Sequence, residues 1–320
     1  MQRRGRHRSL LFSMTVLRRM LVGAMRICVI FNPTARGEGA ARWLPFLRDL
    51  GSRCTLMPTQ RAGDARVLAS RAADSGFETI VAAGGDGTVN EVLNGMNDCA
   101  GSLDQSRLAV LPMGTVNVFA REWGIPAHPE AAWRVVENGT ERRLDLPSAE
   151  FNASQGAEHR AFIQLAGAGL DARAVELVSW KIKKKLGIVA YILAVLQAYA
   201  QSSHRISVQS PEHTADGVAL LVGNGRYYGG SHAIFHRARQ DDGMLDVCLF
   251  RNLGPLTLAQ ASLALLTGNW SRIRGVEYWQ THEFSVAGRS RTPLELEGEP
   301  VGELPARFRL VPRSLRVIVP

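Results

Sequence analysis

Continuous apolar runs and helically spaced apolar stripes alternate through the first half of the chain. Ile27-Cys28-Val29-Ile30-Phe31 is apolar throughout, the pattern of a parallel strand covered on both faces. Trp43, Leu44, Leu47 and Leu50 then recur at helical spacing, and Pro45, which has no N–H to donate, sets the start of the regular helix near itself. A strand follows near Cys54–Met57. Gly63-Asp64 opens a helix over Ala65–Ser75, with Val67, Leu68 and Ala72 on one stripe. Thr79–Ala83 reads as a strand, Val89–Met96 as a helix and Leu108–Leu111 as a strand. This βαβ series predicts a parallel sheet with its binding crevice at the carboxyl ends of the strands.

Past about Asp145 the texture becomes short alternating strands at Ala161–Leu165, Arg205–Gln209, Val218–Val222, Leu245–Phe250, His282–Val286, Leu294–Glu297 and Arg307–Val319. Helical patterns interrupt them at Ala172–Gln201 and Leu256–Leu266. The fold expected is a three-layer α/β domain over 26–145 followed by a β-sandwich domain over 146–320, with the final segment packing back on the first domain. A chain of 320 residues can bury two such cores. No repeat of roughly 20–50 residues is visible.

Charge changes the picture at one end. The net charge is +9, and Arg3, Arg4, Arg6, Arg8, Arg18, Arg19 and Arg26 meet no acid between Met1 and Arg26. Residues 1–25 therefore form a basic leader, expected either to hug anionic lipid or to be a disordered extension ahead of a native start at Met25. Arg18 and Arg19 break the apolar stretch a signal peptide needs. Beyond residue 26 no basic stripe is interleaved with aromatics, which argues against a nucleic-acid partner. Cys28, Cys54, Cys99 and Cys248 lie far apart, so neither a zinc site nor a disulfide framework is indicated and a reducing cytoplasm fits. No run reaches the roughly 20 apolar residues that span a bilayer.

The densest chemistry is Gly84-Gly85-Asp86-Gly87-Thr88, between an apolar strand and a helix. Three glycines let backbone N–H groups approach a polyanion, and the helix turns its positive end to the same place. Asp86 would repel phosphate unless a divalent cation lies between them or the carboxylate takes a proton, so the loop points to chemistry on a nucleotide. Asn32-Pro33 and Pro112-Met113-Gly114-Thr115-Val116-Asn117 leave the same edge, adding Asn32, Thr88, Asn90, Thr115 and Asn117 as groups suited to phosphate and ribose. The chain lacks the Gly-Lys-Ser/Thr of a Walker loop. Gly167-Ala168-Gly169-Leu170-Asp171-Ala172 has the dinucleotide G-x-G-x-x-A spacing but no βαβ continuation and no acid about 20 residues on. His232 and His236 stand four apart without a third ligand nearby.

These motifs, together with Gly223-Asn224-Gly225-Arg226, Asp242-Gly243-x-Leu245-Asp246 and Gly298-Glu299-Pro300, resemble in order the diacylglycerol kinase catalytic family over about residues 26–320. The soluble bacterial lipid kinases related to sphingosine and ceramide kinases are most similar. The resemblance implies a nucleotide domain like that of NAD kinases and 6-phosphofructokinases, a β-sandwich domain, and ATP with Mg²⁺ in the cleft between them. It places ATP on Gly84, Gly85, Asp86, Gly87, Thr88, Val89, Asn90 and Glu91, with Asn32, Thr59, Gly114, Thr115, Asn117 and Glu299 around them. It implies a cation at Asp242 with the backbone near Arg239 and Met244, and an acceptor-side acid at Asp171. The family's hydroxyl-activating base stands in an Asp-Gly-Glu pattern; here Glu297 takes the first position, one methylene longer, with Asp86 as the other candidate acid. The expected partner is a lipid alcohol, diacylglycerol first, met at the inner face of a membrane through Trp180–Leu186 and the apolar stretch after it. A homodimer is left open. NAD kinase is the enzymatic alternative, and a catalytically weak lipid or nucleotide sensor is the alternative of another class.

Overall fold

The computed structural model describes residues 26–33, 40–170, 172–173, 205–228, 230, 232–267, 273–288 and 291–320. The basic leader, Asp171, most of the 172–201 helical pattern and the Trp180–Leu186 stretch lie outside the described residues.

Four parallel strands, β1 (Ile27–Phe31), β2 (Thr55–Pro58), β3 (Thr79–Gly84) and β4 (Arg107–Pro112), lie in the order β4-β3-β1-β2. Every residue of β3 is buried, as expected for a strand covered on both faces. Helices α1 (Ala40–Leu50), α2 (Asp64–Asp74) and α3 (Asp86–Asp98) connect the first strands. Pro45 lies inside α1 rather than at its start. Its missing N–H would have reached back only to Ala41, in the opening turn, and burial of Trp43, Leu47 and Leu50 outweighs that one bond. Two short helices, α4 (Ser102–Gln105) and α5 (Val118–Glu122), flank β4, and α6 (Pro129–Asn138) buries Ala132, Trp133 and Val136. The sequence reading did not resolve α4 or α6.

Helices α2 and α3 touch at Gly95. A Cβ there would run into the Arg66 carbonyl oxygen and come within 2.8 Å of the Ala69 Cβ, and the helix backbone cannot swing aside. Gly95→Ala gains up to about 1 kcal/mol of helix propensity but loses about 1–3 kcal/mol or more to overpacking. We expect net destabilisation of about 2 kcal/mol, read as a melting temperature lower by several degrees.

The second half begins inside β5 (Thr140–Ala153), which passes through residue 145 without a break, and continues with β6 (Gly156–Ala161), β7 (Leu165–Gly169), β8 (Ile206–Gln209), β9 (Thr214–Gly217) and β10 (Ala219–Gly223). A small hairpin, β11 (Tyr227–Tyr228) and β12 (His232–Ala233), precedes β13 (Leu245–Phe250), α7 (Pro255–Thr267), β14 (Val276–Thr281), β15 (Glu283–Gly288), β16 (Pro293–Leu296) and β17 (Glu299–Val319). One layer runs β14-β13-β10-β7-β16 into the start of β17; the other runs β6-β5-β17-β15-β8-β9. Phe162, Val222, Val247, Leu296 and Phe308 fill the space between them. The expected order, an α/β half and then a β-sandwich, is what the chain builds.

The long strand β17 ties the halves together: it pairs antiparallel with β5 along most of its length, and at Val317 it pairs parallel with Leu108 of β4. The outer face of the β13 layer carries a further apolar cluster, including Leu165, Leu221, Phe235, Phe250 and Leu258.

Candidate active site

Each of three loops leaves the parallel sheet by extending its ladder one step. Asn32 N–H donates to Ala83 O at 3.2 Å, Thr59 N–H to Phe31 O at 2.9 Å and Met113 N–H to Gly84 O at 2.9 Å. Asn32, Thr59, the glycine loop and Gly114 therefore share the rim at the carboxyl ends of the strands. Thr88 folds back over Gly84 so closely that no Cβ fits there. Gly114 lies against Gly85: a Cβ on Gly114 would stand 2.6 Å from the Gly85 Cα and 2.7 Å from Asn117 Oδ1. The two loops meet backbone to backbone, and only glycine allows it.

Asn117 holds the second loop shut. It adopts a left-handed conformation at φ 51°, accepts the Gly114 N–H at Oδ1 (3.0 Å) and donates from Nδ2 to the Gly114 carbonyl (2.7 Å). Its side chain is thus engaged by the loop itself. At the start of α3 the amides of Gly87 and Thr88 have no carbonyl four residues back within the helix, and they sit at its positive end beside Asp86.

Two carboxylates meet this rim from opposite halves of the chain. Asp86 opens α3 and is half-buried; burial raises its pKa above the ordinary carboxylate range, against the opposing pull of the Phe119, Val118 and Asn117 amides. Phe119 N–H donates to Asp86 Oδ1 at 3.4 Å. Glu297 comes from the β16–β17 hairpin, where it and Gly298 have φ of 57° and 78°, the two left-handed residues of a type I′ turn. A glutamate held there is strained by roughly 1–2 kcal/mol, a cost that Asn or Asp bears more easily. Its Oε1 accepts Ile163 N–H at 2.6 Å and Gln164 N–H at 2.7 Å, and its own N–H donates to Leu165 O at 3.0 Å. Burial pushes the carboxyl up to about 7; the amides pull against this and the neighbouring Asp86 charge adds to it. Glu295 supports the turn by accepting Gly298 N–H at 2.6 Å. Glu299 brings its Oε1 within 3.0 Å of where a Cβ on Gly87 would stand, so β17 touches the glycine loop directly.

A set of polar residues, of which the sequence reading named only Asn224 and Arg226, locks these pieces together. Glu122, at the end of α5, accepts Arg226 Nε (2.7 Å), Arg226 N–H (2.9 Å) and Gln164 Nε2 (3.1 Å). The short helix α5 thus holds Asp86 at one end and Gln164, whose amide holds Glu297, at the other. Gln240 Nε2 donates to Ile163 O at 2.7 Å, and Asn224 Nδ2 to the same carbonyl at 2.9 Å. Asn94 of α3 exchanges two hydrogen bonds of 2.9 Å with the Ala161 backbone, fastening the glycine-loop helix to the β-sandwich half.

Several residues expected at the nucleotide also have partners within the fold. Val89 is buried in the core and its N–H donates to Gly85 O at 3.1 Å. Glu91 accepts the Gly63 and Ala65 amides at 2.9 and 3.1 Å, capping α2. Asn90 Oδ1 accepts from Asn94 Nδ2 at 2.9 Å. In the expected cation turn, Asp242 accepts the Met244 N–H at 3.0 Å, and burial, with Asp145 nearby, raises its pKa; the Arg239 side chain pairs with Asp241 at 3.3 Å. Asp145 itself is fully buried and accepts the Gly243 and Arg313 amides at 2.7 and 2.8 Å. Among the described residues, no three acids, histidines or cysteines converge on a point that could hold a metal. The Gly167–Gly169 fingerprint lies in β7, antiparallel to both β10 and β16, so it opens no dinucleotide site.

Comparison with known proteins agrees with this layout. Residues 26–149 match the diacylglycerol kinase catalytic domain, and residues 164–319 match the YegS C-terminal NAD kinase beta sandwich-like domain. A Pseudomonas aeruginosa protein named "Probable lipid kinase YegS-like" is 33% identical over 308 residues, covering 92% of this chain and 94% of its own. A Staphylococcus carnosus diacylglycerol kinase is 28% identical over 302 residues, covering 92% and 95%. The crystal structure of a diacylglycerol kinase from Bacillus anthracis superposes with a TM-score of 0.69 at 20% identity, covering 92% of this chain and 97% of that one.

Proposed function

Because the chain belongs to the diacylglycerol kinase catalytic family, in its YegS-like lipid kinase branch, we propose that it transfers the γ-phosphoryl group of ATP to the hydroxyl of a lipid alcohol of the diacylglycerol type. The observation that carries this reading is the meeting of two carboxylates beside an amide cradle: Asp86 from the glycine loop and Glu297 from the sandwich hairpin, the second pushed up to about 7 by burial and by the first. A base poised near neutrality suits abstraction of an alcohol proton.

In the proposed reaction the acceptor oxygen bonds to the γ-phosphorus as the bond to the bridging β,γ-oxygen breaks, and ADP leaves with that electron pair. The hydroxyl proton passes to Glu297. Oε1 is held by the Ile163 and Gln164 amides, which leaves Oε2 to take it. The Gly85–Thr88 amides offset the charge of the triphosphate, and the Gly85–Gly114 contact keeps side chains away from it. Mg²⁺ fits a single carboxylate beside a phosphate site, since it keeps water and substrate oxygens in its shell; Asp86 would hold it, and it would supply neutralisation of phosphate charge.

The NAD kinase-like character of the C-terminal match supports NAD as the second acceptor to test. Purified protein is incubated with labelled ATP and Mg²⁺ and with mixed micelles of diacylglycerol, with a sphingoid base, or with NAD. Label in a chloroform-soluble product of diacylglycerol is the expected result. Label in NADP, or in no product, overturns the proposal.

A further inference from the structure

An acid at the last residue of a helix meets the negative end of the helix dipole, yet α5 ends on Glu122. What holds it there comes from the other half of the chain. Its side chain is only 7% exposed and accepts three bonds, from Arg226 Nε at 2.7 Å on Oε1, and from Arg226 N–H at 2.9 Å and Gln164 Nε2 at 3.1 Å on Oε2. The next residue reaches the same place. Trp123 Nε1 donates to Gln240 Oε1, and Gln240 Nε2 donates in turn to Ile163 O at 2.7 Å and Gln164 Oε1 at 3.1 Å. The end of α5 therefore reaches both Ile163 and Gln164, the two residues whose amides hold Glu297 Oε1.

Ile163 and Gln164 lie between β6 and β7, outside the sheet ladders. Their places are set by these side chains together with the Asn224 and Gly225 amides, which donate to Gln164 O at 2.9 and 3.2 Å. Gln164 has no slack on that side, since a Cβ on Gly225 would stand 2.2 Å from its Nε2. At the other end of α5 the Phe119 N–H reaches Asp86. One helix of five residues thus runs from the acid of the glycine loop to the peptides that grip the acid of the hairpin.

We propose that Glu122 is a positioning residue: by holding Gln164 it fixes where the Glu297 carboxylate stands relative to Asp86 and the glycine loop. The proposal rests on the kinase reading for the purpose of that placement, not for the placement itself. Exposed ion pairs hold little, but Glu122 is buried and its donors come from both backbone and side chains, so cutting the tie moves the 163–164 segment rather than merely freeing a surface arginine. A shift of about 1 Å at a reacting group costs roughly a hundredfold in rate.

Glu122→Gln tests it, since the amide keeps the shape and sets an NH₂ group against donors. The expected result is a kcat for lipid phosphorylation lower by about thirtyfold with KM for ATP within about twofold, because the bonds of Glu122 run to Arg226 and Gln164 rather than to the glycine loop. In the Glu297→Gln background the same change should lower the rate less than about threefold, because a residue that acts through Glu297 has little left to act on. A residue that only keeps the protein folded would instead lower the rate by the same factor in both backgrounds. Amide exchange reads the placement without any kinase assay: the Ile163 and Gln164 amides should exchange about tenfold faster in Glu122→Gln, while the buried amides of β3 keep their wild-type rates. Gln164→Met cuts the same tie from the other side and should behave alike, which keeps the test intact if Glu122→Gln does not fold. Losses that multiply across the two backgrounds, or amides at 163 and 164 that exchange as in wild type, overturn the inference. Faster exchange at those two amides in a protein whose wild type phosphorylates nothing would leave the clamp standing and remove the kinase reading.

Discussion

Glu297→Gln is expected to lower kcat for lipid phosphorylation about a thousandfold while leaving the protein at least as stable as wild type. Gln keeps the carbonyl oxygen that the Ile163 and Gln164 amides hold and removes only the ability to take a proton. The stability half follows from the direction of the pKa. Burial raises Glu297 from 4.5 to about 7, so the folded protein binds this proton more tightly than the unfolded chain does. The penalty for holding the carboxylate charged is therefore fully present above about pH 7, fades as pH falls and is gone below the unfolded value near 4.5. Removing it at pH 8 gains up to about 3 kcal/mol, an upper bound. Urea unfolding at pH 8 and pH 5 measures this: the Gln variant should gain at the higher pH only. Glu297→Asp should keep or improve activity, since Asp suits the left-handed turn position and retains the carboxylate. A Gln variant that turns over normally would remove Glu297 from the mechanism.

Asp86→Asn carries the second large effect. The variant is expected to lose roughly a hundredfold or more in kcat, because the carboxylate carried by the glycine loop itself becomes neutral. Its remaining rate carries a second, independent signature. The Asp86 charge is one of the causes that hold Glu297 high, so neutralising it lowers the Glu297 pKa and moves the acid limb of the residual activity to lower pH. A limb that stays in place while kcat falls would mean that the two carboxylates do not sense each other.

Much of this layout was legible in the chain because its signals are local. Continuous apolar runs mark β1 and β3, and glycines at strand ends mark loops whose backbones meet, as Gly85 and Gly114 do. The sequence reading ran a strand through Glu297, whereas the strand ends at Leu296 and Glu297 and Gly298 form the turn. What escaped reading has partners far away in sequence. Glu122 reaches Arg226 and Gln164, Asn94 reaches Ala161, and Asp145 holds the backbone of Gly243 and Arg313; none of these residues announces its partner through spacing. Val89 and Glu91 have roles that motif membership did not announce: the fold places one side chain in the core and uses the other to cap α2. Pro45 misplaced a helix start because burial of Trp43 and Leu47 outweighs one absent hydrogen bond.

The most direct single measurement is the rate at which label from the γ-phosphate of ATP enters chloroform-extractable lipid, followed for the wild-type protein from about pH 5 to pH 9. A rate that climbs through a midpoint near 7, where burial has set Glu297, and then levels is the predicted result. A profile that is flat across that range, or label that never leaves the aqueous phase, would contradict it.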